Sequence, residues 1–88
     1  MAEITFTPAQ CRAARALLDW SQAELARQAK VAKQTLADFE RGARTPYART
    51  LDDIRGALEA AGVEFTNGDA PGVRLRPKPA TKARKRGS

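Results

Sequence analysis

The sequence predicts a mainly α-helical domain of four to five short helices, closed by a C-terminal β-hairpin and followed by a disordered basic tail. Three observations carry this. Between residues 7 and 61, apolar side chains recur at helical spacing in short runs, each opened by a capping residue or closed near a glycine. After Gly62 the period changes to alternation on both sides of an Asn/Gly/Pro loop. From residue 77 the periodicity stops, and Lys78, Lys82, Arg84, Lys85 and Arg86 follow without an acid. The expected organisation is a lead-in at 1–6, a helical domain at 7–61, a hairpin at 62–76 and the tail at 77–88.

Thr7 and Pro8 read as the N-cap and first position of the first helix. Cys11, Ala14, Leu17 and Leu18 form its apolar stripe, which ends near Asp19-Trp20. Ser21 caps the second helix, about 21–28, and Glu24 three residues on completes a capping box. Leu25 and Ala26 are its inward residues. The third helix, about 33–40, turns Leu36 and Phe39 inward, and Arg41-Gly42 ends it. Residues 43–46 form a turn. Tyr47 to Ala61 is the fourth helix, with Leu51, Ile54, Ala57, Leu58 and Ala61 on one stripe and Gly62 as its stop. Val63–Thr66 and Val73–Arg76 then alternate around a turn-rich loop. Two strands alone are marginal in water, so the hairpin must pack on the helices or add to a partner's strands.

Composition narrows the function. Eighteen of the 88 residues are alanine, and the large apolar side chains suffice for one small core. There is no histidine and one cysteine, Cys11. This excludes Ser-His-Asp and Cys-His catalysis, a Cys2His2 finger and an internal disulfide. No glycine-rich phosphate loop or clustered metal ligands occur, so an enzyme is not expected, and neither is a cofactor. No apolar run approaches the ~18 residues of a membrane span. No basic segment followed by an apolar stretch opens the chain, so a soluble cytoplasmic protein is expected. The net charge of +6 is uneven: the tail carries +5, residues 12–49 carry +4 and residues 50–76 carry −2. A basic middle and a basic tail suit an anionic partner.

The informative stretch is Ser21 to Gly42, SQAELARQAKVAKQTLADFERG. Two short helices joined by a tight turn must bury Leu25, Ala26, Val31, Leu36 and Phe39, with Ala26 small enough for a close crossing. Lys33, Gln34, Ala37, Asp38 and Arg41 are left on an outward polar face. In a helix-turn-helix, the second helix enters the DNA major groove, where Lys and Gln suit guanine and adenine edges. Trp20, between two helices, is expected to pack. Tyr47 is either a packing residue or a phosphate donor. Asp52 and Asp53 diverge on a helix, and favourable charge at its N-terminus is preferred over a metal.

This stretch, with the Leu51/Ile54/Leu58 stripe, resembles the Cro/CI-type (XRE) bacterial and phage transcriptional regulators over residues 8–61. Gly62–Arg76 resembles a C-terminal extension found in a branch of that family. The resemblance implies a lambda-repressor-like fold. It implies base contacts from Lys33, Gln34 and Asp38, and DNA phosphate contacts from Gln22, Arg41 and Arg44. Thr35, near the groove, is a further phosphate candidate. It also implies a buried Arg15–Glu40 ion pair tying the first helix to the third. The chain departs from the family pattern in three places. Lys30 replaces the usual turn glycine, and Ala32 the usual Ser/Thr cap, at about 1 kcal/mol each. Asp38 brings a negative charge to the reading face, where it either accepts from cytosine or repels phosphate.

The expected function is therefore sequence-specific regulation of transcription on double-stranded DNA. One recognition helix reads few base pairs, so a homodimer through residues 62–76 on a palindromic operator is expected. Two alternatives differ in class. An antitoxin-like or anti-activator module on the same fold would capture a protein partner. A nonspecific nucleic-acid binder would depend on the tail and on salt.

Overall fold

The computed structural model describes residues 6–66 and 71–76. The expected tail at 77–88, most of the lead-in and four residues of the hairpin loop lie outside the described residues. Four helices precede two strands: α1 (Pro8–Leu18), α2 (Gln22–Ala29), α3 (Lys33–Glu40), α4 (Ala48–Ala60), β1 (Val63–Thr66) and β2 (Gly72–Leu75). This is the mainly α, lambda-repressor-like class expected from the sequence.

Helix α1 starts where Thr7 caps Gln10 N–H at 3.1 Å. Gln10 returns the bond, its Oε1 accepting from Thr7 N–H at 3.0 Å. A reciprocal capping box thus sits on α1, whereas the sequence placed one on α2. At α2, Ser21 Oγ caps Glu24 N–H at 3.0 Å, but the Glu24 carboxylate accepts from Arg27 and Gln28. A carboxylate held by side chains one turn ahead does not reach back to the cap.

The core forms where the helices meet. Cys11, Leu25, Leu36, Ile54, Leu58 and Val63 are essentially inaccessible. Each large apolar side chain contributes about 1.5–3 kcal/mol by leaving water. Ala26 is buried on α2, which packs against both α3 and α4, and a larger side chain there would strain that packing. Leu18, Trp20, Val31 and Leu51 pack against this centre. Leu17 does not: it is 42% exposed. The buried side of α1 is instead completed by Gln10, which is 3% exposed.

Gly62, at φ 110°, turns the chain from α4 into β1, a conformation costly for any residue with a Cβ. The strands pair antiparallel, with Val63 opposite Leu75 and Phe65 opposite Val73. Arg76 N–H donates to Gly62 O at 2.8 Å and extends the ladder. β2 begins one residue earlier than the alternation suggested, because Gly72 pairs with Thr66. The hairpin packs on its own helices. Phe6 meets Phe65 edge-on, with centroids 5.2 Å apart, and Phe39 at 5.6 Å. Gln10 Nε2 donates to Thr66 O at 3.2 Å and Gly72 O at 3.1 Å, pinning both strands to α1. On the opposite face, Arg74 Nε bonds Glu64 Oε1 at 2.7 Å across the ladder.

Candidate nucleic-acid interface

The turn between α2 and α3 uses Lys30 in the left-handed region, at φ 61°. Ala32 is the N-cap of α3 and makes no side-chain capping bond. Both departures anticipated from the sequence are therefore present, and α3 begins without a side-chain cap. Its inward residues, Leu36 and Phe39, are buried. The same rotation exposes Lys33 and Gln34 and leaves Asp38 half-buried. Arg41, at the C-cap, and Arg44, in the following loop, are exposed. One helix face thus brings Lys33, Gln34, Asp38 and Arg41 together. Thr35, half-buried, lies on its flank.

Asp38 is engaged within this face. Its Oδ1 accepts from Gln34 Nε2 at 2.9 Å and from Arg41 Nη2 at 2.9 Å. The Gln34 hydrogen bond lowers the Asp38 carboxyl below its ordinary value. Desolvation opposes this, while the Arg41 bond and the charges of Arg41 and Arg44 assist.

Behind the face lies an ionic hub. Glu40, at the end of α3, is 2% exposed. Its carboxylate accepts from Arg15 Nε at 2.8 Å and Arg15 Nη2 at 2.7 Å. It also accepts from Gln22 Nε2 at 2.9 Å and Cys11 Sγ at 3.0 Å. Arg12 donates to the Glu40 main-chain carbonyl. Arg15 Nη1 holds the Trp20 carbonyl at 3.1 Å. Burial alone would push the Glu40 carboxyl up, but the bonds from Arg15, Cys11 and Gln22 and the Arg15 charge outweigh it and leave it lowered. Burial, followed by the Glu40 bond and charge, pushes the Cys11 thiol far up. The thiol is a structural donor. The hub fixes α3 against α1 and α2.

Gln22 is thus placed differently from the other phosphate candidates. Its amide turns toward Glu40 and is half-buried, so one of its two N–H groups is already used. Arg41 and Arg44 remain exposed beside α3.

A cavity of about 390 Å³ flanks α3, lined by Thr35, Arg44, Thr45, Pro46, Tyr47 and Thr50. Tyr47 is 87% exposed, which excludes its packing role. Helix α4 has no side-chain cap and no acid in its first turn, so its free N–H groups favour an anion. Asp52 and Asp53 fall after that turn, contrary to the expected N-terminal role, because the helix starts at Ala48. The signal for this flank was legible as ARTPYART at 43–50, a basic and hydroxyl-bearing run opening a helix. Among the described residues, no group of three or more His, Cys, Asp or Glu is placed to hold a metal. No helix of the described residues is long and apolar enough to cross a membrane.

Two short helices joined by a tight turn, with the second presenting a polar face at the surface, define a helix-turn-helix protein of the DNA-binding type. The HTH_3 helix-turn-helix family model matches residues 12–61, more than half of the chain, and the chain belongs to that family of Cro/CI-type (XRE) regulators. The family consists of non-catalytic transcription factors. No curated protein matches the chain.

Proposed function

We propose that the chain is a sequence-specific transcriptional regulator that binds double-stranded DNA as a homodimer. The observation that carries this is the exposed face of α3, where Lys33, Gln34, Asp38 and Arg41 lie together on a helix held rigidly from behind by Glu40. Helix α3 lies in the major groove. Lys33 addresses guanine, Gln34 addresses adenine, and Asp38 lies beside them on the same face. Gln22, Thr35, Arg41 and Arg44 contact phosphates and set the register. Tyr47 and the first turn of α4 extend that phosphate surface. Residues 62–76 join two copies, placing the reading helices about 34 Å apart on a palindromic operator. The protein works in the cytoplasm.

The test is fluorescence anisotropy of the full chain near 0.15 M salt. A duplex selected from a random library is compared with its scrambled counterpart, using the parent and Lys33→Ala/Gln34→Ala. The parent is expected to prefer the selected duplex, and the double variant to lose that preference. Equal, weak binding of both duplexes by the parent would sink the proposal. Sedimentation at micromolar concentration checks the dimer, and a monomer both free and on DNA refutes it.

A further inference from the structure

Within the reading face, the residue at the centre is the least accessible. The Asp38 side chain is 17% exposed, against 67% for Arg41, and Gln34 is exposed. A single oxygen, Oδ1, accepts from Gln34 one turn before it and from Arg41 just past the helix end, each at 2.9 Å. The Asp38 main-chain carbonyl is occupied too. It accepts from Ala43 N–H at 2.9 Å and Arg44 N–H at 3.3 Å, which folds the loop back against α3. Asp38 therefore faces Arg41 and Arg44 and does not meet the surface as a bare anion.

A carboxylate accepts hydrogen bonds and has none to donate, whereas a glutamine amide has one donating and one accepting end of nearly equal shape. Facing Asp38, only the Nε2 end of Gln34 is tolerated. The reversed amide would set Oε1 against the carboxylate, acceptor against acceptor. The lowered Asp38 carboxyl keeps this restriction in force at neutral pH. One Nε2 hydrogen is thereby committed, and Oε1 and the second hydrogen remain for a base edge. An adenine edge needs an acceptor and a donor in a fixed order.

We propose that Asp38 is a positioning residue for Gln34: it fixes which end of the Gln34 amide meets the DNA, and so sets the base preference at the pair Gln34 reads. This rests on the major-groove reading of α3 and refines the part Asp38 plays in it. The bond to Arg41 balances the Asp38 charge next to the phosphates. The negative charge on the reading face thus acts through a neighbouring side chain.

The test uses the full chain and a duplex selected from a random library, followed by a panel of single base-pair substitutions in that duplex. Gln34→Ala identifies the pair Gln34 reads. Asp38→Asn preserves shape but both donates and accepts, so it releases the amide. It is expected to reduce discrimination at that same pair by about tenfold, within the range of one bidentate base contact. Preferences elsewhere should hold, and the double variant should be no less selective than Gln34→Ala. Arg41→Met leaves the Gln34–Asp38 bond in place and should weaken binding to all sequences while preserving the preference. Urea unfolding of each variant separates these effects from folding, and if Asp38→Asn fails to fold, Asp38→Ser takes its place. The proposal is overturned by an unchanged profile in Asp38→Asn. It is also overturned by a changed preference at a different pair, which would make Asp38 a direct reader. If the parent has no base preference and Gln34→Ala is silent, the major-groove reading itself fails.

Discussion

Glu40→Ala should be the most damaging single substitution behind the reading face. It removes the acceptor of four hydrogen bonds, two from Arg15 and one each from Gln22 and Cys11. Breaking a buried ion pair from one side costs about 3–5 kcal/mol, chiefly because the other charge is left without a partner. Arg15 keeps 20% of its side chain in water and still holds the Trp20 carbonyl. The low end, about 3 kcal/mol, is therefore expected. For a domain of this size, each kcal/mol moves the thermal midpoint by about 4–8 °C, so a fall of about 12–24 °C follows. Urea unfolding followed by circular dichroism measures the loss directly. Arg15→Met/Glu40→Leu replaces both charges with apolar groups and should recover most of it. A loss under about 1 kcal/mol in Glu40→Ala would refute the assignment of Glu40 as the tie between α1 and α3. The pH dependence has a definite sign. The folded carboxyl lies below its ordinary value, so its contribution is full above the unfolded value of about 4.3. It is lost as the pH falls through the folded value.

Other substitutions test the local geometry. Lys30→Gly relieves a left-handed backbone position at φ 61° and should stabilise the fold by up to about 1 kcal/mol in urea titrations. Ala32→Ser supplies the missing cap of α3 and should add about 1 kcal/mol in the same assay. Gln10→Ala removes the two bonds to the hairpin and half of the α1 capping box. It should cost about 2 kcal/mol and accelerate amide exchange in β1 and β2. Cys11, fully buried with its thiol pushed up, should resist an aromatic disulfide reagent until the chain unfolds; rapid labelling of the native protein contradicts its placement.

The parts of the fold that local chemistry dictates were legible in the sequence. Ser21 begins α2 and Gly62 closes off α4 because capping and positive φ are properties of one or two residues. The inward pair Leu36 and Phe39 follows from helical spacing alone, and with it the outward face of α3. The α2 capping box failed locally, its Glu24 taken by Arg27 and Gln28, whereas other features depend on parts of the fold remote in the chain. Gln10 looks like a surface residue of α1, yet it is buried because its partners are main-chain oxygens 56 and 62 residues away. Leu17 fits the stripe but extends past the region that the other elements cover. The Arg15–Glu40 contact came from family resemblance, and the inward turn of Gln22 toward it was not foreseen. Nothing in their own neighbourhood marks either as a member of a hub. The Gln34–Asp38–Arg41 contacts are spaced for one helix face, but all three residues are also base- or phosphate-contact types. Spacing alone could not divide those roles.

The Gln10 amide also has a consequence for synthesis. Ribosomes deliver a chain from its N-terminus at about 5–20 residues per second. Helix α1 emerges well before the strands that its Gln10 secures, which arrive some 60 residues later. Until the strands are released, Phe6 lacks its contact with Phe65 and the Gln10 amide lacks both of its main-chain acceptors. Closing so long a loop adds an entropic cost that local helix formation does not meet. The nascent helices should therefore form early and lock late, with hairpin docking as the step that commits the chain to its native state.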